Sequence, residues 1–281
     1  MTHRERIFNI KLQTGFLPTA NRMHMFDENT SSRCPCCGHL HENITHMLYC
    51  NNKSVQDHRT CEIEKLEHWM ESNHTHPDIV RVIIDTLLTD SHVKFADQIP
   101  LDAHDSLRQC VQLQDSLDRL EFHRGHIVSA WGHIQKEHFD SLFVSSRKKQ
   151  TRWMEGLIHK INSMNMSLWH FRNAIAEEQK KQEEKHRRTL NLDNEIEDIF
   201  RIGVAGIRPT DQHIILDTNI EKVLELSMSD KEDWISMVRT MQKCYARTVE
   251  TDMYNMRLRF EQWTNFQRTS RQIDTSTTTD T

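Results

Sequence analysis

Residues 34 to 50 read CPCCGHLHENITHMLYC, and the spacing C-x2-C-x8-H-x3-C constrains this chain more than any other feature. Two thiolates two residues apart face one ion only if the chain turns back tightly. Pro35 fixes φ at the start of that turn, and Gly38 tolerates positive φ at its end. His46 and Cys50 are four apart, which on a helix puts them on one face, one turn apart. Three thiolates and one imidazole, from Cys34, Cys37, His46 and Cys50, make a closed tetrahedral Cys3His site of the kind zinc takes, one structural ion per chain. Cys36 competes with Cys37 for a place in it, His39 or His41 with His46, and Cys61 is a remote fifth candidate. Cys110 and Cys244 fall within helical apolar patterns and read as core residues.

Around this knuckle the sequence reads as all-α, a multi-helix assembly that ends in long helices. Only 7 Gly and 5 Pro punctuate 281 residues, and 27% of residues are charged, which favours helices over strands and tight turns. Arg4 to Phe26 is helical with a break at Gly15 and Pro18. Pro77 opens a helix that buries Ile79, Val82, Ile83 and Leu87. Trp153 to about Asn191 is the longest periodic run, and its end, EEQKKQEEKHRR, has no apolar residue, so it is a solvated helix stiffened by i,i+4 pairs. A last helix runs from Lys231 to Arg268, with Trp234, Met237, Val238, Met241, Tyr245 and Val249 on one stripe. The tryptophans Trp153, Trp169, Trp234 and Trp263 stand at core spacing. Strand signals are weak, the best lying near the cysteines and at His213 to Leu216. The expected organisation is a zinc-knuckle module with flanking helices over 1–75, a helical domain over 76–268 and a disordered tail over 269–281.

No apolar run of about 18 residues exists, so no helix is expected to span a membrane. The opening MTHRERIFNI has no apolar segment of signal-peptide type. Seven cysteines, four of them clustered, fit a metal site in a reducing intracellular compartment, nuclear or cytoplasmic, better than disulfides. The net charge of −5 is segregated: +2 over 1–33, −8 over 34–141, +6 over 142–190 and −5 over 191–281. A basic block between acidic ones either neutralises its neighbours or meets phosphates. Arg147, Lys148, Lys149, Arg152 and Lys160 are the best phosphate-contact candidates, joined by Arg22 and Arg33 beside the knuckle. No nucleophile elbow, phosphate-binding glycine loop or H-E-x-x-H motif occurs, and Glu137-His138 lacks the second His. The chain therefore reads as a non-enzyme.

The segment KLQTGFLPTANRMHMF followed by the knuckle resembles the C-terminal region of non-LTR retrotransposon reverse transcriptases. Leu17, Pro18, Thr19 and Arg22 match the first part of that pattern. Cys34, Pro35, Cys37, Glu42, Thr45, His46, Leu48 and Cys50 match the second. Trp169, Arg172 and Asn173 fit a Trp-x-x-Arg-Asn helix found downstream in some of these proteins. The family often has a His a few residues after the Asn, where this chain has Glu177 and Glu178. The paired aspartates that a polymerase uses to hold its metals are missing. The resemblance implies a non-catalytic, zinc-binding module that contacts RNA or DNA backbone. The alternative is a zinc-stabilised helical scaffold that binds a protein partner and no nucleic acid.

Overall fold

The computed structural model describes residues 2–142 and 147–276, with backbone only at 147–148 and 266–276. Among the described residues the protein is all-α, with long C-terminal helices and no strand. In order the helices are α1 His3–Gln13, α2 Ala20–His24, α3 Ile44–Leu48, α4 Lys53–Ser72, α5 Pro77–Leu88, α6 Asp105–Asp115, α7 Arg119–His123, α8 Ala130–Ser141, α9 Arg147–Ile202, α10 His213–Leu216, α11 Ile220–Leu224 and α12 Met228–Ser276. A 3₁₀ turn, Phe95–Gln98, precedes α6. The strand candidate at His213 to Leu216 is α10, a helical turn. Its three successive apolar residues suit a strand, but only Ile215 is buried, which one turn of helix accomplishes.

The chain divides into two compact units, Met1–Lys180 and Lys181–Thr281. The large core of the first runs from Phe8 and Leu12 of α1 through Ile63, Leu66 and Met70 of α4 to Leu157, Ile161 and Leu168 of α9, and a small separate cluster surrounds the cysteines. The boundary expected at 75/76 falls inside this unit, at the tight connection between α4 and α5. There Gln135 of α8, fully buried, accepts from the His76 N–H at 2.8 Å and donates to the His74 carbonyl at 2.8 Å. Trp153 Nε1 donates to Thr75 Oγ1 at 2.9 Å. A connection whose polar groups are satisfied by α8 and α9 is part of one core, not a linker.

The long helix α9 begins with a buried stripe at Trp153, Leu157, Ile161, Met164 and Leu168. Gly156 lets α4 approach it, because a Cβ there would stand 2.6 Å from the Trp69 ring. From Glu177 to Arg188 the helix is exposed on every side. In the second unit Ile196, Ile199, Ile207, Ile215, Val223, Ile235 and Val238 form a small core, with Phe200 stacked on Trp234 at 5.5 Å. Lys231 is buried and donates to Asp193 at 2.6 Å.

Several side chains expected inside are not. Cys244 is exposed, as are Val249 and Trp263 of α12, because that helix outruns the core it packs on. No Gly or Pro follows Pro209, so nothing breaks the helix at Arg268 and it continues to Ser276. Residues 277–281 of the expected disordered tail lie outside the described residues.

Under α7 a polar chain crosses the first core. His123 Nδ1 donates to Asn165 Oδ1 at 2.9 Å, and Asn165 Nδ2 donates to the His123 carbonyl at 2.8 Å. With Nδ1 protonated, Nε2 accepts the Tyr49 O–H at 2.7 Å. Burial, with the Arg119 and Arg59 guanidiniums adding to it against the Asn165 bond, lowers the His123 pKa to about 4. A folded-state value below the ordinary one means the contribution is complete above about pH 6.5 and lost as pH falls toward 4. At pH 4 the loss reaches about 3 kcal/mol. Denaturant melts at pH 7, 5 and 4 should show wild type losing stability more steeply than His123→Gln. Parallel pH profiles for the two proteins would contradict this.

Candidate metal centre

The knuckle is closed by two backbone bonds. The Cys34 N–H donates to the His39 carbonyl and the Gly38 N–H to the Cys34 carbonyl, both at 2.8 Å. Gly38 has φ of 75°, the left-handed conformation such a turn requires. Asn43 caps α3 by accepting the His46 N–H at 2.7 Å, which fixes the helix that presents His46. That helix stops at Leu48, so Cys50 lies just beyond it and not one turn along the same face. The chain bends at Tyr49, with φ −121° and ψ 32°, and brings Cys50 back to the same point.

Cys34, Cys37, His46 and Cys50 have ligand atoms all within 4.8 Å of one another, an arrangement that can hold a metal ion. Cys34 Sγ is 3.8 Å from Cys50 Sγ, and Cys37 Sγ is 3.2 Å from His46 Nε2. Ligands at zinc distances on a tetrahedron stand about 3.5 to 3.8 Å apart. A disulfide would bring two sulfurs to about 2.05 Å, and all seven cysteines are free. Val55, Phe171 and Ile175 pack against the sulfurs.

Burial and mutual hydrogen bonding hold three thiols of this cluster protonated. The Cys36 thiol is pushed up to about 12 by its hydrogen bond with Cys34 and by burial, against a lowering bond from Cys50. In Cys34 the bond with Cys36 lowers the pKa, but the Cys50 bond and burial outweigh it and carry it to about 12. In Cys50 the Cys34 bond lowers it, and the Cys36 bond and burial again raise it to about 12. Crowded, buried thiols resist charging until a positive ion lies among them, and the thiolate is what binds a metal. His46 is lowered by burial and then by His39, whose ring stacks on it at 4.4 Å. That favours the neutral imidazole a ligand must be. Cys36 is buried beside the four, and its carbonyl accepts from Asn52 Nδ2 at 2.6 Å. Asn52 Oδ1 in turn caps α4 through the Ser54 and Val55 N–H groups.

The centre is tied to the rest of the unit through Glu42, whose side chain is fully buried. Glu42 Oε1 accepts from Arg172 Nε at 2.8 Å and Oε2 from Arg172 Nη2 at 2.5 Å. The same Oε2 accepts the Ala20 N–H at 2.7 Å, at the start of α2. The Glu42 N–H donates to Ser32, and the Asn21 N–H donates to the Glu42 carbonyl. Arg172 also donates to Asn173 Oδ1 at 3.0 Å and lies 5.4 Å from the Trp169 ring. Two neighbouring stretches, 17–22 and 32–50, and the distant 169–173 therefore meet at one carboxylate.

The basic residues form two groups. Arg22 has its guanidinium 4.4 Å from the Phe16 ring and 5.1 Å from the Phe26 ring, with Nε unpaired. Phe16 is 56% exposed and Phe26 72%. Arg33 is exposed and donates to the Gly38 carbonyl at 3.4 Å. On α9, Lys149, Arg152 and Lys160 are exposed, within a sector of about 80° at 100° per residue. The side chains of Arg147 and Lys148 lie outside the described residues. The two groups are not brought together: Lys160 is about 18 Å and Lys149 about 35 Å along α9 from Arg172. Phe16 and Phe26 were legible only in part, since Arg22–Phe26 is an i,i+4 pair but nothing in the sequence places Phe16 on the other face.

Among the described residues no other group of three or more His, Cys, Asp and Glu side chains converges, and no helix is long and apolar enough to cross a membrane. Comparison with protein families, curated proteins and solved structures finds no match.

Two outcomes check this geometry. Cys37→Ser and Cys50→Ser should each lower bound metal well below one ion per chain by elemental analysis, while Cys36→Ser keeps it. Glu42→Ala leaves the mostly buried Arg172 without its partner and should cost about 3 kcal/mol in denaturant melts. Replacing both, as Glu42→Leu with Arg172→Met, should recover at least about half of that.

Proposed function

We propose that the chain is a non-catalytic, zinc-stabilised module that binds the phosphate backbone of RNA or DNA. The observation that supports it best is the donor set, three sulfurs and one imidazole nitrogen all within 4.8 Å of one another with an apolar backing. Soft thiolates select zinc over magnesium or calcium, and four protein ligands leave no open position for a substrate. Zinc held by Cys34, Cys37, His46 and Cys50 would supply folding free energy to a segment with few apolar residues of its own. The work of this chain's residues is then to hold the knuckle against α9 and to present charge and aromatic rings around it.

Arg22 between Phe16 and Phe26 suits a nucleic acid strand. Exposed rings offer faces on which bases stack, and the guanidinium meets phosphate. Arg33 adds charge beside the knuckle, and Lys149, Arg152 and Lys160 add a second phosphate-binding stripe. The nucleic-acid part of this reading starts from the resemblance to reverse transcriptase C-terminal regions, and the clustered free cysteines fit a reducing intracellular setting. Contacts to about three to five phosphates make affinity salt-dependent and indifferent to sequence.

Filter-binding titrations against single- and double-stranded RNA and DNA at two salt concentrations test it. For a duplex the expected slope of log affinity on log salt is about −3 to −4.5. Phe16→Ala with Phe26→Ala should weaken single-strand binding at unchanged slope. Lys149, Arg152 and Lys160 changed to Gln should flatten the slope. Absence of binding at low salt would sink the reading.

A further inference from the structure

Past Val238 the last helix leaves its core, yet its sequence does not become uniformly polar. Ala246, Val249, Met253, Met256, Phe260 and Trp263 follow one another in steps of three and four, the repeat of a coiled-coil seam, and all six are exposed. Met256 is 68% exposed, Phe260 64% and Trp263 57%. A continuous apolar seam of this length on one helix face is what an association site presents.

We propose that this seam pairs antiparallel with the same seam of a second copy of the chain, about a twofold axis between Tyr254 and Asn255. In that register Ala246 faces Trp263 of the second copy, Val249 faces Phe260 and Met253 faces Met256. Each layer sets a small side chain against a large one, or two of equal size, so every layer fills to similar volume. A parallel pairing would set Trp263 on Trp263 and Ala246 on Ala246, one layer overfull and one void. The four aromatic rings and four Met side chains together bring roughly 1,000 Å² to the interface, the lower bound for a specific one.

The flanking charges select the same partner and direction. Glu250 and Asp252 lie on one side of the axis and Arg257 and Arg259 on the other, all four exposed. Antiparallel pairing puts Glu250 beside Arg257 of the second copy and Asp252 beside Arg259, with the symmetry mates giving four opposite-charge pairs. Parallel pairing joins only Asp252 to Arg257, twice. Residues 246–263 carry equal numbers of Arg and of Asp plus Glu, three each, so the seam complements itself without net repulsion.

Sedimentation equilibrium of the full chain tests this. Wild type should give a species of twice the 33.5 kDa chain mass. Phe260→Glu should weaken the dimer by about 100-fold or more with circular dichroism unchanged, since the side chain is exposed in the single chain. Arg257→Glu should weaken it by about 10-fold, and adding Glu250→Arg should restore it. In a parallel pair the added change would leave Asp252 facing Glu at 257 and restore nothing. A chain that stays at 33.5 kDa up to about 100 µM overturns the proposal. So does a dimer indifferent to Phe260→Glu, or a charge-reversed pair that fails to reassociate.

Discussion

A carboxylate at zero exposure is stable only when another group meets its charge, because its bare desolvation costs several kcal/mol. Glu42 is such a carboxylate, and Arg172, 130 positions later, meets it with two donors while the α2 N-terminus supplies a third. The consequences run outward from that pair. α2 is held where its first N–H is needed. The loop that carries the cysteines is fixed at both its ends. The middle of α9 is pinned against the knuckle, which places Phe171 and Ile175 on the sulfurs. A knuckle of few apolar residues thereby gains a wall from the helix whose earlier turns pack in the large core.

The second organising device is a set of buried amides. Gln135, Gln114 and Asn165 each satisfy backbone groups of irregular segments that would otherwise carry orphan donors and acceptors. Gln114 accepts from the Val128 N–H and from Trp131 Nε1 and donates to the His126 carbonyl. These amides let short helices meet at loops against the large core, because a buried backbone group left without a partner costs free energy.

The helical character of the chain was legible because it rests on local signals. Few glycines and prolines, Pro77 at a helix start and the 3.6-residue periodicity of α5 and α9 act within a turn or two. The candidate metal-ligand cluster was legible in part for the same reason, since Pro35 and Gly38 encode the turn, while the choice between Cys36 and Cys37 was left open. What the pattern could not carry is burial that depends on a neighbour's length. Val249 and Trp263 have the spacing of core residues, yet the small core under α12 ends near Val238. Cys244 stands exposed for the same reason. The strand signal at His213 to Leu216 failed because four residues are too few for periodicity to separate a strand from a helical turn.

The sequence by itself determined that this chain is helical, where a tight turn would set two thiols side by side, and which cysteines and histidines near that turn have the donor chemistry for one ion. These follow from backbone sterics and ligand softness, which act over a few residues. Only the tertiary structure decided that Cys50 reaches the site from beyond the end of α3, that Cys36 is a buried neighbour, and that Glu42 is paired with Arg172. It also decided that the basic residues of α9 stand apart from those at the knuckle. Each of these depends on which distant segment lies alongside, a matter of packing and desolvation that no local pattern encodes.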